Sequence, residues 1–364
     1  MKIGIDASRA FLDERTGTEE YSHELLRHLA KINCNHQFFL YLRKGAKIDF
    51  ELPSNFFPRE IEGDFLWTQF HLSLELLHHK VDALFVPSHT VPLFHPKRTV
   101  VTVHGLEYKH CPECYPARDR ILTDMNTFLS LSFAKRIIAP SENTKRDIEN
   151  FYSIDPRGIR VIRHGINMPV GGAQEKDTGE LDILFIGRLE KRKNVTGIVR
   201  AFDLFMKKVD EAAGGSGANI RLILAGKKGF GYGEIEDAIA RSPHKGNILL
   251  PGYVTAAQKR ELYSQADVFI FPSFYEGFGM PVWEAMSYGV PVICSANSST
   301  EEIAGGAAML VDPRDTEKIC EALTTLCCNE EERKRLIAKG FEILENAGWE
   351  KCAKETMAVL TEWE

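Results

Sequence analysis

The feature that most constrains this chain is an alternation that runs twice. Short apolar runs of strand length alternate with amphipathic stretches of helix length, the pattern breaks once, and then it restarts. In the first half, Lys2 to Ala7, Gln37 to Leu42, Val81 to Pro87, Thr99 to His104 and Arg136 to Ala139 read as strands. Helices are predicted over 18–32, where Tyr21, Leu25, Leu29 and Ile32 share one face, and over 66–79, 118–134 and 141–151, with Ser141 as the last one's N-cap. The break falls at 167–180, where Met168-Pro169-Val170-Gly171-Gly172 leads into mostly polar residues, a linker composition. Beyond it, strands are predicted at 182–187, 220–225, 247–250, 267–271 and 291–294. Helices follow at 194–210, 233–241, 255–265, 281–288, 316–327 and 330–345, and a last one runs from Trp349 to Trp363. Ala212 to Gly217 reads as a flexible loop.

Alternation in both halves predicts an α/β protein with two doubly wound, Rossmann-like parallel sheets. Ligands of such sheets sit beyond the carboxyl ends of the strands, so two of them facing a central cleft would hold a ligand between them. The expected division is 1–166, a linker at 167–180, 181–347, and a final helix at 348–364. A length of 364 residues suits two cores better than one. The net charge of -6 argues against a nucleic-acid partner. Met1 leads directly into a strand-like run, and no apolar run is long enough to cross a bilayer, which predicts a cytoplasmic location. Among 8 cysteines, only Cys111-Pro-Glu-Cys114 has metal-like spacing, and without a second pair it reads as chance rather than zinc. Cys294 and Cys320 read as reduced core thiols.

Four constellations carry candidate chemistry. In the first, a strand end opens into Glu276-Gly277-Phe278-Gly279-Met280-Pro281-Val282-Trp283-Glu284. The glycines permit a turn, Pro281 suits a first helical turn, and free amides at the helix start suit an anion. Two carboxylates beside them suit ligand hydroxyls, against the plain alternatives of a surface loop residue for Glu276 and a lysine partner for Glu284. The second, Gly187-Arg188-Leu189-Glu190-Lys191-Arg192-Lys193-Asn194, follows a strand and opens a helix, so Arg188 and Lys193 are candidates for a phosphate. The third is Gly17-Thr18-Glu19-Glu20, a turn into a helix. The fourth is His104, at the end of the apolar strand Val101-Thr102-Val103.

The string from Glu276 to Glu284 resembles the E-x7-E motif of retaining glycosyltransferases with the GT-B fold, family four (glycosyltransferases group 1). Asp267 to Ser273 before it, Glu284 to Ile293 after it, Gly187-Arg188-Leu189 with Lys193-Asn194, Ala139-Pro140-Ser141 and Gly252-Tyr253-Val254 keep the family's order. The resemblance implies that residues 1–166 form the acceptor side and 181–347 bind a nucleotide sugar, with the final helix returning to the first domain. It implies Arg188 and Lys193 at the donor diphosphate, Glu284 at the ribose and Glu276 at the transferred sugar. Gly277 belongs to the same loop, and the amides of Phe278, Gly279 and Met280 would meet sugar or phosphate. Gly17 would let the opposing loop approach the diphosphate, Tyr253 and Val254 would meet the base, and His104 would lie near sugar and acceptor.

The implied activity is metal-independent hexose transfer without a cofactor, the diphosphate being the leaving group. Arg188 to Asn194 is similar to strings in bacterial and archaeal mannosyltransferases of surface polysaccharides, which favours GDP-mannose over a UDP-glucose-type donor. A glycan or a lipid-linked molecule, met at the inner face of the membrane, is the implied acceptor. Phe56, Phe57, Phe65, Leu66, Trp67 and Phe70 are candidates for a peripheral membrane contact, with a buried helix face as the alternative. A pyridoxal phosphorylase of the same fold, or an inactive nucleotide-sugar-binding protein, are the rival readings. Two departures stand out: His104 is followed by Gly105 where relatives carry Asp, and Gly17 is followed by Thr18 and Glu19 where many have Gly-x-Gly.

Overall fold

The computed structural model describes residues 1–168, 179–213 and 219–363. It divides into two units. The first comprises Met1–Leu106, Arg118–Gly165 and Ala347–Glu364, and the second Glu107–Ala117 and Ile166–Asn346. Most of the linker expected at 167–180, and residues 214–218 of the expected loop, lie outside the described residues, while Ala212 and Ala213 end the helix Val195–Ala213.

The first unit is built on β1 (Lys2–Asp6), β2 (Gln37–Arg43), β3 (Phe56–Ile61), β4 (Ala83–Val86), β5 (Arg98–Thr102), β6 (Arg136–Ala139) and β7 (Ile159–Val161). They form one parallel sheet in the order β3-β2-β1-β4-β5-β6-β7. The chain leaves β1 in one direction and returns beside it as β4, so a topological switch point lies between those two strands. Ile3, Ile5, Leu84, Phe85, Val100 and Val101 are fully buried, as both-face coverage of a parallel sheet requires.

The second unit repeats the plan with β8 (Leu181–Ile186), β9 (Ile220–Ala225), β10 (Ile248–Gly252), β11 (Val268–Phe271), β12 (Val292–Ser295) and β13 (Ala308–Val311). Their order is β10-β9-β8-β11-β12-β13, again parallel. Here the switch point lies between β8 and β11. The loops leaving their carboxyl ends begin at Gly187 and Pro272, and these are the two segments singled out for phosphate and hydroxyl binding.

Several expectations shift. β3, β7 and β13 were not anticipated. β5 stops at Thr102, so His104 follows the strand rather than ending it. The helix expected at 66–79 begins with a wide π-turn, Thr68–Leu72, before the α-helical Ser73–His78. Of the aromatic cluster, Phe56 and Trp67 are core residues, whereas Phe65, Leu66 and Phe70 are exposed. Residues Glu107–Ala117, which sequence order put in 1–166, group with the second unit.

The final helix, Trp349–Thr361, packs within the first unit against the helix Gly17–Leu29. It approaches so closely that a Cβ on Gly165 would lie 2.4 Å from the Trp349 backbone. Gly165→Ala should therefore destabilise the first unit by about 1–3 kcal/mol, as overpacking does. Gly158→Ala, where an added Cβ meets nothing within 4 Å, is the control. Thermal unfolding checks this: Gly165→Ala should melt several degrees below Gly158→Ala, and equal melting would contradict the close packing.

Candidate functional site

In the second unit, β8 ends at Ile186 and the chain turns through Gly187 to Asn194. Lys191–Lys193 form one 3-10 turn, and Asn194 closes it in the left-handed conformation (φ 55°) while its side-chain amide donates to the Pro313 carbonyl at 2.6 Å. This turn drives the Arg192 and Lys193 side chains inward. Lys193 Nζ donates to Glu276 Oε1 at 2.6 Å and lies 4.5 Å from the centre of the Phe271 ring. Arg192 Nη1 is 2.8 Å from the same carboxylate oxygen and also donates to the Tyr275 carbonyl at 2.8 Å. Its Nη2 donates to Glu190 at 2.9 Å. Burial alone would raise the Glu276 pKa, but the Arg192 and Lys193 charges and the Lys193 hydrogen bond hold it down to about 2. Burial and the neighbouring Arg192 charge lower the Lys193 pKa, with Glu276 opposing them.

The loop carrying Glu276 is braced at nearly every residue. The Phe274 amide donates to the Arg192 carbonyl at 2.9 Å, and Asn297 Nδ2 donates to the Phe274 carbonyl at 2.9 Å. Ser299 Oγ donates to the Glu276 carbonyl at 2.9 Å, and the Gly277 amide donates to the Glu107 carboxylate at 3.1 Å. Gly279, at φ 92°, then turns the chain into the helix Met280–Ser287, a conformation that favours glycine. Phe278 packs edge-on against Trp283 with ring centres 4.9 Å apart. Amides at the helix start remain suited to an anion or to sugar oxygens.

Glu284 lies one turn inside that helix. Its Oε1 accepts from Lys259 Nζ at 2.6 Å and its Oε2 from the Tyr263 hydroxyl at 3.0 Å. Both partners project from the helix Ala256–Gln265, four residues apart on one face. Tyr253 and Val254 precede that helix, with Tyr253 partly exposed under Lys227 Nζ, 4.7 Å from its ring centre. Arg188 is half exposed and reaches Glu190 only at 3.9 Å, so it stands apart from the buried cluster.

The first unit holds the remaining two candidates. Gly17 opens the helix Gly17–Leu29. Glu19 turns back to accept from the Thr16 amide at 3.2 Å and pairs with Arg9, which occupies its charge locally. His104 donates through Nε2 to the Pro87 carbonyl at 2.8 Å, and its own amide donates to His89 Nε2 at 3.3 Å. Its ring stands edge-on to Tyr21, 4.8 Å between centres. Burial lowers its pKa to about 4, so it is neutral at pH 7 and keeps Nδ1 as its acceptor.

The structure thus joins Lys193 to Glu276 directly and sets Gly277 to Met280 and Glu284 on the same loop and helix. It does not bring Arg188 to Lys193. Sequence reading missed Arg192, Glu107, Lys259 and Tyr263. Arg192 stood in the right run, but only the 3-10 turn decides that two of three successive basic side chains, Arg192 and Lys193, point inward while Lys191 does not. Among the described residues no cluster of three or more His, Cys, Asp or Glu is arranged to hold a metal ion.

The depressed Glu276 pKa has a signed consequence. Its ordinary value is 4.5 and its folded value about 2, so the stabilisation is fully present above 4.5 and disappears as pH falls towards 2. Wild type should exceed Glu276→Gln by on the order of 3 kcal/mol at neutral pH. Denaturant titrations at stepped pH should show a constant gap above pH 4.5 that closes below it. A gap that persists unchanged at low pH would contradict the ion-pair account.

Comparison with known proteins agrees with the architecture. Residues 172–342 match the family described as glycosyl transferases group 1, and residues 15–168 match glycosyltransferase family 4. O-antigen chain mannosyltransferase B of Escherichia coli is 29% identical over 272 residues, spanning 72% of this chain and 69% of that protein. Among solved structures, sucrose-phosphate synthase of Thermosynechococcus elongatus superposes with a TM-score of 0.79 at 17% identity, covering 100% of this chain and 98% of that one. HepE of Anabaena in complex with UDP-glucose superposes at 0.72 with 13% identity, covering 100% of both. This chain belongs to the GT-B glycosyltransferases, with the group 1 and family 4 models together matching both of its halves.

Proposed function

We propose that this glycosyltransferase is a retaining, metal-independent hexosyltransferase that moves mannose from GDP-mannose to a glycan or lipid-linked acceptor. The observation that carries the reading is the buried Glu276 carboxylate, ion-paired to Lys193 and Arg192 at the start of the helix Met280–Ser287. A carboxylate fixed there in ionised form is a strong acceptor for hydroxyls of the transferred sugar. Lys193 and the more exposed Arg188 supply positive charge to the leaving diphosphate, and the amides of Phe278, Gly279 and Met280 add to it. This is the electrostatic work that a divalent cation does in other transferases. Glu284 is held by Lys259 and Tyr263 so that its remaining lone pairs suit the ribose hydroxyls. Tyr253 and Val254 suit the base.

Gly17 and the neutral His104 are the remaining candidates for sugar and acceptor, His104 offering Nδ1 as an acceptor for one hydroxyl. The glycosidic bond to the diphosphate breaks as the acceptor oxygen attacks on the same face, and the departing phosphate takes the acceptor proton. No cofactor enters this scheme. Mannose is favoured because an O-antigen chain mannosyltransferase is similar over most of this chain. Such an enzyme would work in the cytoplasm, at the inner membrane face if its acceptor is lipid-linked. No helix among the described residues is long and apolar enough to cross a membrane.

A panel of nucleotide sugars, incubated with the enzyme and acceptor glycans in excess EDTA, tests the reading. Transfer from GDP-mannose should persist, with the product keeping the donor's anomeric configuration by NMR. Transfer only from UDP-glucose would replace the donor, and activity lost in EDTA and restored by Mg²⁺ would overturn metal independence. Glu284→Ala should weaken free-nucleotide binding roughly thirty-fold to a hundred-fold, the cost of losing a charged hydrogen-bond partner. Calorimetry reads this directly, and equal nucleotide affinity in the variant and wild type would remove Glu284 from the ribose.

A further inference from the structure

Two cations converge on one buried oxygen. Lys193 Nζ lies 2.6 Å and Arg192 Nη1 2.8 Å from Glu276 Oε1, so either of them alone gives this carboxylate a counter-charge. Glu190 Oε1 accepts from Arg192 Nη2 at 2.9 Å and completes the cluster. Two cations and two carboxylates leave no net charge. All four side chains are at most 14% exposed, so little solvent screens the exchange of one partner for another.

The two cations are held very differently. The Arg192 fork is shared among three protein groups: Glu276, Glu190 and the Tyr275 carbonyl, the last at 2.8 Å. Its own carbonyl accepts from the Phe274 amide at 2.9 Å. A rigid planar fork tied at three points leaves only by breaking all three contacts. Among the described residues, Lys193 Nζ makes one hydrogen bond, that to Glu276, and otherwise lies 4.5 Å from the centre of the Phe271 ring. An ammonium on a flexible four-carbon stem can turn while its backbone stays put. Here the backbone is pinned next door, where the Asn194 side chain donates to the Pro313 carbonyl at 2.6 Å. Lys193 is therefore the cation that can leave. If it left Glu276 with no other partner, a buried carboxylate would stand unpaired, and that cost would subtract from whatever Lys193 gained.

We infer that Arg192 is a positioning residue for donor binding: it stays on Glu276 while Lys193 turns from that carboxylate to the donor diphosphate. The inference rests on the proposed donor site. Arg192 acts through Lys193 and needs no contact with the donor itself. With Arg192 in place, Glu276 keeps a counter-charge throughout, and the diphosphate gains Lys193 without stranding a buried carboxylate. Without Arg192, Glu276 has Lys193 as its one remaining counter-charge, and a diphosphate must compete with it for the same ammonium.

Calorimetry of the full chain with GDP and with UDP tests this, with guanosine and uridine as phosphate-free controls followed by ligand-observed NMR. Arg192→Gln should weaken the diphosphate that wild type binds roughly ten-fold to a hundred-fold, the worth of a hydrogen bond to a charged group, and leave its nucleoside unchanged. Adding Glu276→Gln to Arg192→Gln releases Lys193 and should recover most of that loss. Adding Glu190→Gln instead gives the same net charge but leaves Glu276 on Lys193, so binding should stay weak. Recovery in both double variants would mean plain charge balance, and recovery in neither a merely structural Arg192; each overturns the inference. Diphosphate binding lost in Lys193→Ala but intact in Arg192→Gln leaves the donor site standing and removes Arg192 alone. A wild type that binds neither diphosphate better than its nucleoside overturns the donor site and the inference together. Where Arg192→Gln fails to fold, Lys193→Ala decides without any nucleotide. Its Glu276 carboxyl, held by Arg192 alone, should still titrate below 4.5 by carbon-detected NMR, and a midpoint at or above 4.5 overturns the inference.

Discussion

One carboxylate removed from water organises the second unit. Glu276 is nearly inaccessible, and an isolated buried carboxylate would be costly enough to take up a proton. It stays ionised because Lys193 and Arg192 converge on one of its oxygens. Removing one partner of such a buried group leaves an uncompensated charge, which is why the cluster fixes conformation more firmly than its net energy suggests. Arg192 extends the same constraint to the backbone through the Tyr275 carbonyl, and the Phe274 amide answers through the Arg192 carbonyl. The loops from β8 and β11 are thereby tied together across the switch point of the sheet. On the proposed reading, an arriving diphosphate would meet Lys193 already paired to Glu276, which would couple donor binding to the local charge balance.

The fold explains why these groups meet although 83 residues separate Lys193 from Glu276. In a doubly wound sheet, the central two strands point their carboxyl ends in one direction while their following segments part to opposite sides. Only the loops leaving β8 and β11 share that crevice. The first unit has the same topology, and its switch-point strand β4 leads to Pro87, whose carbonyl fixes the His104 tautomer. Two sheets of one plan therefore present different chemistry. One offers a buried ion-paired cluster, the other a neutral imidazole among aromatic rings.

Central strands were legible in the sequence, and edge strands largely were not. β1, β4, β5, β8 and β11 are buried on both faces and so read as continuous apolar runs. β3, β7 and β13 each close a sheet edge, where one side needs less covering; β3 even carries Pro58 and mostly exposed residues. Their patterns are too weak to separate from loops. At the site, Glu276, Glu284 and Lys193 were identifiable from the resemblance because they fall in continuous strings. Arg192 was hidden by its neighbours, since direction within a basic run is set by the 3-10 turn and by Asn194 in its left-handed conformation. Glu107 was hidden by distance, 170 residues from the amide that it caps. Lys259 and Tyr263 were unremarkable on an exposed-looking helix until Glu284 was placed opposite them.

The account depends most on Glu276 being ionised by its partners before any ligand arrives. Carbon-detected NMR of the glutamate side chains, with the Glu276 signal assigned by its loss in Glu276→Gln, measures that ionisation directly. The predicted titration midpoint is about 2 in wild type, rising towards the ordinary glutamate range when Arg192 is replaced by glutamine. A wild-type midpoint near 4.5, or one indifferent to Arg192, would contradict the claim that this ion-pair cluster holds the site together.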